Sequence, residues 1–257
     1  MYLEKYRLDK RVAVVTGAGQ GIGLCCAEAL GEAGATIIVA EQRPERIESA
    51  LQTLRSRGIT AEGMPVDVTD SQAVEALAEH VQRDHGCVDI LVNNAGINFL
   101  GVPAEDTSDE HWQRHMRVNV DGVFYCCRSF GQRMLGRGSG NIVNIGSMSG
   151  MIVNRPQPQS VYNVTKAAVH HLTRSLAVEW ATRGVRVNAV APTYIETPLI
   201  RNALADDSLY KTWVDMTPMH RVGKPEEIAS VVLFLASDAS SLITGAIVTA
   251  DAGYTCW

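Results

Sequence analysis

Near its amino terminus the chain reads Val12-Ala-Val-Val-Thr16-Gly17-Ala-Gly19-Gln20-Gly21-Ile22-Gly23, an apolar run followed by a glycine-rich turn. The run is rich in β-branched residues and predicts a buried strand, and the pattern from Gly21 to Ala33 predicts a helix. Glycines between a strand and a helix permit a sharp bend and let the backbone approach a pyrophosphate, which the helix N-terminus stabilises. Because the turn lacks the terminal Gly-Lys-Ser/Thr of an ATP-binding loop, it predicts a dinucleotide site.

Alternating strand and helix patterns continue along all 257 residues. Further strands are predicted at 36–40, 59–66, 88–92, 141–145, 185–190 and 247–249, and further helices from Pro44, from Asp70, around 112–135 and over 161–181. Strands buried on both faces and separated by helices indicate a parallel sheet. We therefore predict an α/β fold, a single Rossmann-like, doubly wound domain over residues 1–257. It has about seven parallel strands, helices on both faces and a substrate lid in the irregular stretch near 193–223.

Composition and charge exclude several classes of protein. Hydrophobic residues make up 46% and charged residues 20%, as in an ordinary globular chain. The net charge is −5 and Lys/Arg-rich runs are lacking, so no nucleic-acid partner is expected. The longest apolar stretch, Ile228–Ala236, is too short to span a bilayer, and the first residues lack a signal core. Six cysteines without CxxC spacing predict free thiols in a reducing compartment, so we expect a cytoplasmic protein without a membrane partner.

A carboxylate follows the second predicted strand. Glu41 at this place can accept hydrogen bonds from both ribose hydroxyls of NAD and repel the 2′-phosphate of NADP. Arg43 is a competing signal for NADP, whereas the uncharged Gln20 gives NADP no support. A solvated loop carboxylate is the alternative interpretation of Glu41. The sequence favours NAD over NADP as cofactor.

A tyrosine and a lysine share one face of the helix predicted over Val161–Ala181. Tyr162 and Lys166 are four residues apart, so the phenol and the ammonium point the same way. A free tyrosine ionises near pH 10, and a nearby cation favours the ionised form. Oxidation of an alcohol by NAD needs a base for the hydroxyl proton, a role that such a tyrosine can fill.

Several motifs in order carry a resemblance to one family. They are the turn Thr16–Gly23, Asn93-Asn94-Ala95-Gly96, Asn119, Ser147, Tyr162 with Lys166, Pro192 and Thr197. With these motifs the chain resembles the short-chain dehydrogenase/reductase family over essentially its whole length. The resemblance implies that Tyr162 is the general acid/base and that Lys166 lowers its pKa and holds the nicotinamide ribose. It further implies that Ser147 binds the substrate oxygen and that Asn119 positions a proton-relay water.

Two serines compete for the catalytic position. Ser147 stands three residues before Gly150, as in the Ser-x-x-Gly pattern of the family. Ser149 has the more common family distance from Tyr162, so choosing Ser147 requires a two-residue insertion between Gly150 and Tyr162. We assign the catalytic role to Ser147.

The resemblance also implies a set of cofactor contacts. Asp67 and Val68 are expected at the adenine, and Ile195 and Thr197 at the carboxamide. The full predicted cofactor set is Gly17, Gln20, Gly21, Ile22, Gly23, Glu41, Asp67, Val68, Asn94, Ala95, Gly96, Tyr162, Lys166, Pro192, Ile195 and Thr197. Thr193 and Ala252 depart from family glycines. The family implies a homotetramer with the helices near 112–135 and 161–181 at an interface.

Histidines offer one further possible site. His111 and His115 are four residues apart in a helical pattern, a spacing that suits metal ligands. Because a third ligand is not apparent, we predict no metal and expect a solvated or interface face there. His170 and His171 are expected to pack along the helix of Tyr162.

Polar residues near the predicted catalytic group bear on the substrate. The candidates are Asn98, Ser149, Asn154, Gln157, Gln159 and Tyr194, of which we assign Asn98, Ser149, Asn154 and Tyr194, with Ser147 and Tyr162, to substrate binding. A hydroxyl-rich substrate needs such partners, although loop polarity facing water is the alternative. Segments 146–157 and 244–257 resemble polyol dehydrogenases of the galactitol and sorbitol type.

These inferences predict NAD-dependent oxidation of a secondary hydroxyl of a sugar alcohol to a ketose. The enzymatic alternatives are NADPH-dependent reduction of a 3-oxoacyl thioester and oxidation of a gluconate-type hydroxy acid, for which Arg155 is the nearby cation. A dinucleotide-sensing binding module is the alternative outside enzymes, and the presence of all four catalytic motif residues argues against it.

Overall fold

Seven parallel strands form one sheet in the computed structural model, which describes residues 1–201 and 205–257. In chain order they are β1 (Val12–Thr16), β2 (Thr36–Glu41), β3 (Ala61–Pro65), β4 (Ile90–Asn93), β5 (Gly140–Ile145), β6 (Val185–Pro192) and β7 (Ile247–Ala250). Their order across the sheet is β3-β2-β1-β4-β5-β6-β7, and each pairing is parallel. The direction of winding reverses between β1 and β4, where doubly wound sheets bind their ligands.

Helices cover both faces of this sheet. They are α1 (Gly21–Glu32), α2 (Pro44–Ser56), α3 (Ser71–His85), α4 (Asp109–Met116), α5 (Gly122–Arg137), α6 (Ser160–Trp180), α7 (Asp207–Asp215) and α8 (Pro225–Ala236). One apolar core lies on the side of α1 and α8, another lies on the side of α3, α5 and α6, and a smaller third cluster surrounds Tyr194 and Trp213. The predicted Rossmann-like α/β fold with seven parallel strands and helices on both faces is confirmed.

Two details of the sheet and its helices differ from the prediction. The edge strands β3 and β7 are only partly buried, because each pairs with a neighbouring strand on one side only. The prediction that every strand is buried on both faces was therefore wrong for these two. The long helix predicted around 112–135 is interrupted by a π-helical turn over Arg117–Asp121, between α4 and α5. Such turns insert into an α-helix and often occur at functional sites. Here the turn carries Asn119.

The predicted lid contains more regular structure than its sequence suggested. Within residues 193–223, a 3-10 turn covers Pro198–Ile200 and α7 follows, so an irregular stretch was the wrong prediction for these parts. The side chain of Asp206 caps α7 by accepting from the main-chain N–H groups of Ser208 and Leu209, both at 3.0 Å. Lid residues 202–204 lie outside the described part of the chain.

A further helix was missed in the sequence. The apolar stretch Ile228–Ala236 belongs to α8, which begins at Pro225, a residue suited to the first turn of a helix. In the described ranges, 1–201 and 205–257, none of the helices combines the length and apolar character needed to cross a membrane.

Candidate active site

The glycine-rich turn joins β1 to α1 through close backbone contacts. Gly17 has φ +62°, a left-handed conformation that favours glycine. A Cβ at Gly23 would lie 2.4 Å from the main-chain oxygen of Gly17 and 2.4 Å from Nδ2 of Asn94. The same Nδ2 donates hydrogen bonds of 3.0 Å to the carbonyls of Thr16 and Gly17. The turn is therefore fixed to the end of β4.

Gly23 differs from its predicted place. It was assigned to the cofactor, but it packs beneath the turn and does not line the cleft that the turn borders. The physical reason is that the third glycine lets α1 approach the backbone of Gly17, a packing role that sequence spacing does not separate from ligand contact.

A cleft of about 600 Å³ runs along the carboxyl ends of β1, β2 and β4. Of the predicted cofactor residues, those that line it are Gly17, Gln20, Gly21, Ile22, Glu41, Asp67, Val68, Asn94, Ala95, Gly96 and Thr197. An adjoining cavity of about 120 Å³ shares Ile22, Asn94, Gly96 and Thr197 with the cleft. Its own lining adds Tyr162, Lys166, Pro192 and Ile195. The extended shape and the glycine turn, where an added Cβ would crowd the backbone, fit a dinucleotide.

Glu41 is held in a defined orientation at one end of the cleft, the end where a Rossmann-like fold is expected to bind adenosine. It is buried, and its Oε1 accepts from the main-chain N–H groups of Gln42 at 3.0 Å and Arg43 at 3.2 Å. Oε2 lies beside Gly19, where an added Cβ would be 2.9 Å away. Arg43 and Arg46 line the same wall, and Arg46 was missed in the sequence although it follows Arg43 on the first turn of α2. A carboxylate and two cations thus meet at one end of the cleft.

Asp67 is also fixed by hydrogen bonds. Its Oδ2 accepts from the side chain of Gln42 at 2.9 Å, and its Oδ1 accepts from Thr69 through both the main-chain N–H at 2.9 Å and the hydroxyl at 2.8 Å. The loop after β3 is thereby tied to the residue that follows β2. Both segments form the wall of the cleft that was predicted to face the adenine.

The smaller cavity brings the predicted catalytic residues together. Ser147, Tyr162 and Lys166 line it. Asn119 lies behind the wall, where its Nδ2 donates to the carbonyl of Ile97 at 2.9 Å and its Oδ1 accepts from the N–H of Ile97 at 2.9 Å. Asn119 therefore fixes the backbone of Ile97, which lines both cavities. Its role in positioning a water stays a prediction.

The ionisation of the tyrosine and the lysine follows their burial. Lys166 Nζ donates to the carbonyl of Ile145 at 2.8 Å and lies 5.6 Å from the centre of the Tyr162 ring. Burial lowers the pKa of Lys166 to about 8. Burial raises the pKa of Tyr162 to about 12, partly opposed by a hydrogen-bonding interaction with Ser147. Without a cofactor, desolvation of the phenolate is thus the dominant influence on Tyr162, and the lowering of its pKa by Lys166 and the nicotinamide charge stays a prediction.

The two serines form a hydrogen-bonded pair in the cavity. Their Oγ atoms are 3.0 Å apart, and the N–H of Ser149 donates to Oγ of Ser147 at 3.1 Å. The N–H of Ser147 points to Nε2 of His170 at 3.4 Å. Both serines line the cavity, so the choice of Ser147 remains a prediction.

His170 contributes to this arrangement in a way the sequence did not predict. Burial lowers its pKa to about 4, assisted by the charge of Lys166, so the ring is neutral and can accept a hydrogen bond. A Cβ at Gly146 or Gly150 would lie 2.3 Å or 2.8 Å from the ring. The available signal was the position of His170 one helical turn after Lys166, on the same face of α6.

The polar candidates for substrate contact form a buried cluster. Five of them are buried, so the alternative of polarity facing water is wrong for Ser149, Asn154, Gln157, Gln159 and Tyr194. The cavity is lined by Ser149, Gln159 and Tyr194 together with Asn98. Asn154 was assigned to substrate but lies behind the wall, because its Nδ2 donates to the hydroxyl of Tyr194 at 3.0 Å.

Trp213 closes the far side of the cavity and was missed in the sequence. It is fully buried on α7 and stacks on Tyr194 with ring centres 3.7 Å apart. Its Nε1 donates to Oε1 of Gln157 at 3.0 Å. The apolar spacing of Leu209 and Trp213 after Asp206 was the available signal for this helix.

Of the paired histidines of α4, His115 does not face solvent, so the solvated alternative is wrong for it, and the interface alternative stays a prediction. His115 is buried, its Nδ1 pairs with the carbonyl of His111 at 2.9 Å, and its ring packs edge-on against Phe99. Over residues 1–201 and 205–257, groups of three or more side chains arranged to hold a metal ion are not found.

Comparisons with known proteins agree with this architecture. Residues 17–255 match the sequence model of a short-chain dehydrogenase family described as enoyl-(acyl carrier protein) reductase. A galactitol 2-dehydrogenase of Rhizobium johnstonii is 57% identical over 256 residues, covering 100% of this chain and 99% of the relative. An L-tagatose-forming galactitol 2-dehydrogenase of Cereibacter sphaeroides is 49% identical, with coverage of 100% and 99%.

A solved structure extends the comparison to the fold. A gluconate 5-dehydrogenase from Burkholderia cenocepacia, in complex with NADP and tartrate, superposes with a TM-score of 0.95. It is 36% identical, and the alignment covers 100% of both chains. Because the family model and both relatives span nearly the entire sequence, the protein belongs to the short-chain dehydrogenase/reductase family of oxidoreductases.

Proposed function

We propose that the protein oxidises a secondary hydroxyl of a sugar alcohol to the corresponding ketose, with NAD as hydride acceptor. The observation that carries this proposal is the polar wall beside Tyr162, formed by Asn98, Ser149, Gln159 and Tyr194. A hydroxyl-rich substrate can pair with the buried Oδ1 of Asn98, which has no hydrogen-bond partner within the described residues, whereas an apolar substrate would leave it unpaired. The names of the two galactitol 2-dehydrogenases support the same substrate class.

The proposed chemistry assigns a role to each residue of the smaller cavity. The hydroxyl of Ser147 binds the substrate oxygen, and the oxygen of Tyr162 takes the hydroxyl proton as the carbonyl forms. The bound nicotinamide supplies the acceptor for the hydride that leaves the same carbon. Lys166 holds a positive charge 5.6 Å from the Tyr162 ring centre, which favours ionised Tyr162 when the site is assembled. The reverse reaction reduces the ketose, with Tyr162 as acid.

NAD is the proposed cofactor because of Glu41. Its carboxylate is fixed by two main-chain N–H groups at the place where the ribose of the adenosine would lie. A 2′-phosphate there would meet negative charge. Arg43 and Arg46 on the same wall support the alternative of NADP, which the gluconate 5-dehydrogenase structure contains.

A gluconate-type hydroxy acid is a weaker candidate for the substrate. An anionic substrate needs a cation in the pocket, and Arg155 was the predicted one. Arg155 is exposed and does not line the cavity, whereas the described lining contains Lys166 as its cation. We infer that a neutral polyol fits better.

The assembly and setting of the enzyme are part of the proposal. We propose a single domain with an integral lid that works as a homotetramer, as the family resemblance implies. All six cysteines are free thiols in the structure, and three of them, Cys26, Cys126 and Cys127, are buried in helices. Free thiols suit a reducing compartment, which supports the proposal of a cytoplasmic enzyme.

The test is the absorbance of reduced cofactor on mixing the protein with NAD or NADP and a panel of galactitol, sorbitol, xylitol and threitol. We expect turnover of a polyol with NAD, and loss of at least about a thousandfold in kcat for Tyr162→Phe. The variant should retain cofactor binding, measured by fluorescence titration with NADH. A protein that ignores every polyol but reduces a 3-oxoacyl thioester with NADPH would contradict the proposal.

A further inference from the structure

A continuous chain of side-chain hydrogen bonds runs from the lid helix to the catalytic cavity. Nε1 of Trp213 donates to Oε1 of Gln157 at 3.0 Å, and Nε2 of Gln157 donates to Oε1 of Gln159 at 3.1 Å. Nε2 of Gln159 then donates to Oγ of Ser149 at 3.2 Å, and this oxygen lies 3.0 Å from Oγ of Ser147. All five side chains are buried. The chain thus connects α7 to the serine pair.

The chemistry of its first member gives this chain a direction. An indole N–H can only donate, so the atom of Gln157 that faces Trp213 must be its oxygen. The amide nitrogen of Gln157 then faces Tyr194 and Gln159, with both of its hydrogens donated at 3.1 Å. The atom of Gln159 that receives one of them must be oxygen. Its nitrogen is thereby turned to Ser149.

The hydroxyl of Ser149 is one of three acceptors within reach of this nitrogen, at 3.2 Å. Nε2 of Gln159 also lies 2.8 Å from Oδ1 of Asn154 and 3.0 Å from Oδ1 of Asn163, so its two hydrogens are shared among three acceptors. Either hydroxyl of the serine pair can donate across the 3.0 Å contact between the two Oγ atoms. When Ser149 accepts from Gln159, donation to Ser147 gives the hydrogen of Ser149 a partner. Ser147 Oγ already accepts the N–H of Ser149 at 3.1 Å. In this arrangement Ser147 accepts two hydrogen bonds, and its own hydrogen is free to point into the cavity.

We propose that Gln157 and Gln159 are positioning residues that, through Ser149, keep the hydroxyl of Ser147 pointed at the substrate oxygen. Trp213 fixes the direction in which the two glutamines donate their hydrogen bonds. Because Trp213 belongs to α7, seating this lid helix and orienting the catalytic hydroxyl become one event. The inference rests on the proposed function in that Ser147 is taken as the group that binds the substrate oxygen.

Gln157 is the best position for a test, because it does not line the cavity. Gln157→Met keeps the length of the side chain and removes both polar atoms of Gln157, the oxygen that accepts from Trp213 and the nitrogen that donates to Gln159. We expect kcat to fall about tenfold, the effect of one ordinary hydrogen bond, with the KM for NAD unchanged. In a Ser149→Ala background the same substitution should cause no further loss, because Gln157 acts through Ser149.

The matched control is Asn188→Leu. Asn188 is fully buried in β6 and does not line the cavity. Its Nδ2 donates to the carbonyl of Ile243 at 2.9 Å and its Oδ1 accepts from the N–H of Ala246 at 3.0 Å, so neither bond belongs to the path to Ser149. We expect a loss of thermal stability similar to that of Gln157→Met and kcat within about twofold of wild type. Equal losses of kcat in the two variants, or additive losses of Gln157→Met and Ser149→Ala, would overturn the proposal.

Two further measurements keep the test decisive. If Gln157→Met does not fold, Trp213→Phe retains the stacked ring and removes only the N–H donor, and we expect the same coupling to Ser149→Ala. A neutron structure of the wild-type protein needs no turnover: the deuteron of Ser149 should lie on the line to Oγ of Ser147. A deuteron turned from Ser147 toward Ser149 would refute the inference.

The kinetic cycle does not require a polyol. It can be run on any alcohol or ketone that the wild-type protein turns over, including a 3-oxoacyl thioester. If the protein does not oxidise polyols but the effects of Gln157→Met and Ser149→Ala are non-additive, only the proposed substrate is refuted. If the protein oxidises polyols but the two effects are additive, only the positioning role is refuted.

Discussion

At the scale of single residues, Glu41 places a fixed negative charge where two cofactors differ. Its Oε1 is engaged by the N–H groups of Gln42 and Arg43, so its other oxygen is the one available to a ribose. In Glu41→Ala we expect the KM for NAD to rise about tenfold or more, because the acceptor for the ribose hydroxyls is lost. NADP should become the better cofactor relative to wild type, since Arg43 and Arg46 remain. Initial rates with both cofactors measure this change.

The control for this experiment is Glu45→Ala, which removes a carboxylate on the first turn of α2 that does not line the cleft. It should leave the ratio of the two KM values unchanged. A wild-type protein that prefers NADP would show that Arg43 and Arg46 outweigh Glu41.

The buried charge of Lys166 lowers the stability of the folded protein. Burial lowers its pKa from 10.5 to about 8, so the folded state holds this proton less tightly than the unfolded chain. The group therefore destabilises the fold by about 3 kcal/mol below pH 8, and this penalty disappears as pH rises to its unfolded pKa. The variant Lys166→Met removes this penalty but also loses the hydrogen bond to Ile145, which reduces the gain in stability by about 1 kcal/mol.

We accordingly expect Lys166→Met to be inactive but more stable than wild type at pH 7. Its advantage should shrink between about pH 8 and pH 10.5 as the wild-type penalty is relieved. Urea denaturation of both proteins across this range gives the difference in free energy of unfolding, in which the titrations common to both proteins cancel. A difference independent of pH would show that Lys166 is charged at no cost in the fold.

At the scale of elements, the lid helix α7 depends on its cap. A helix of this length is marginal alone, and Asp206 satisfies two of its first N–H groups. We expect Asp206→Ala to weaken α7 by about 1 kcal/mol and to raise the KM for substrate, because Trp213 loses its seat. Hydrogen exchange of the α7 amides should increase in parallel.

Asp70 offers a matched comparison. It caps α3 by accepting from Gln72 at 2.8 Å and Ala73 at 3.2 Å, on an element that does not reach the smaller cavity. Asp70→Ala should lower thermal stability to a similar degree and leave the substrate KM unchanged. An equal rise in KM in the two variants would mean that general stability, not the lid, controls substrate binding.

At the scale of the whole molecule, the proposed homotetramer needs an apolar contact surface. Phe124 on α5 and Val164 on α6 are exposed, on the helices expected at an interface. Light scattering should give four times the mass of one chain for the wild type. Phe124→Asp should give a smaller species, because an unpaired charge in an apolar contact is unfavourable. Leu3→Asp, at an exposed site of the amino-terminal turn, is the control and should remain a tetramer.

Much of the fold was predictable because its signals are local. The bounds of β1 and the starts of α1 and α2 follow from β-branched runs, glycines and a first-turn proline, which act within a few residues. α7 was not predicted, because its main stabilising residue, Trp213, packs on Tyr194 from another part of the chain. The candidate site divides in the same way.

The sequence alone determined that Tyr162 and Lys166 share a helix face and that glycines bend the chain at the cleft, since both depend on backbone periodicity and sterics. Tertiary structure decided the rest: Asn154 stands behind the wall, His170 meets Ser147, and burial raises the pKa of Tyr162. Desolvation and hydrogen bonding depend on which distant segments meet, and local sequence does not contain that information.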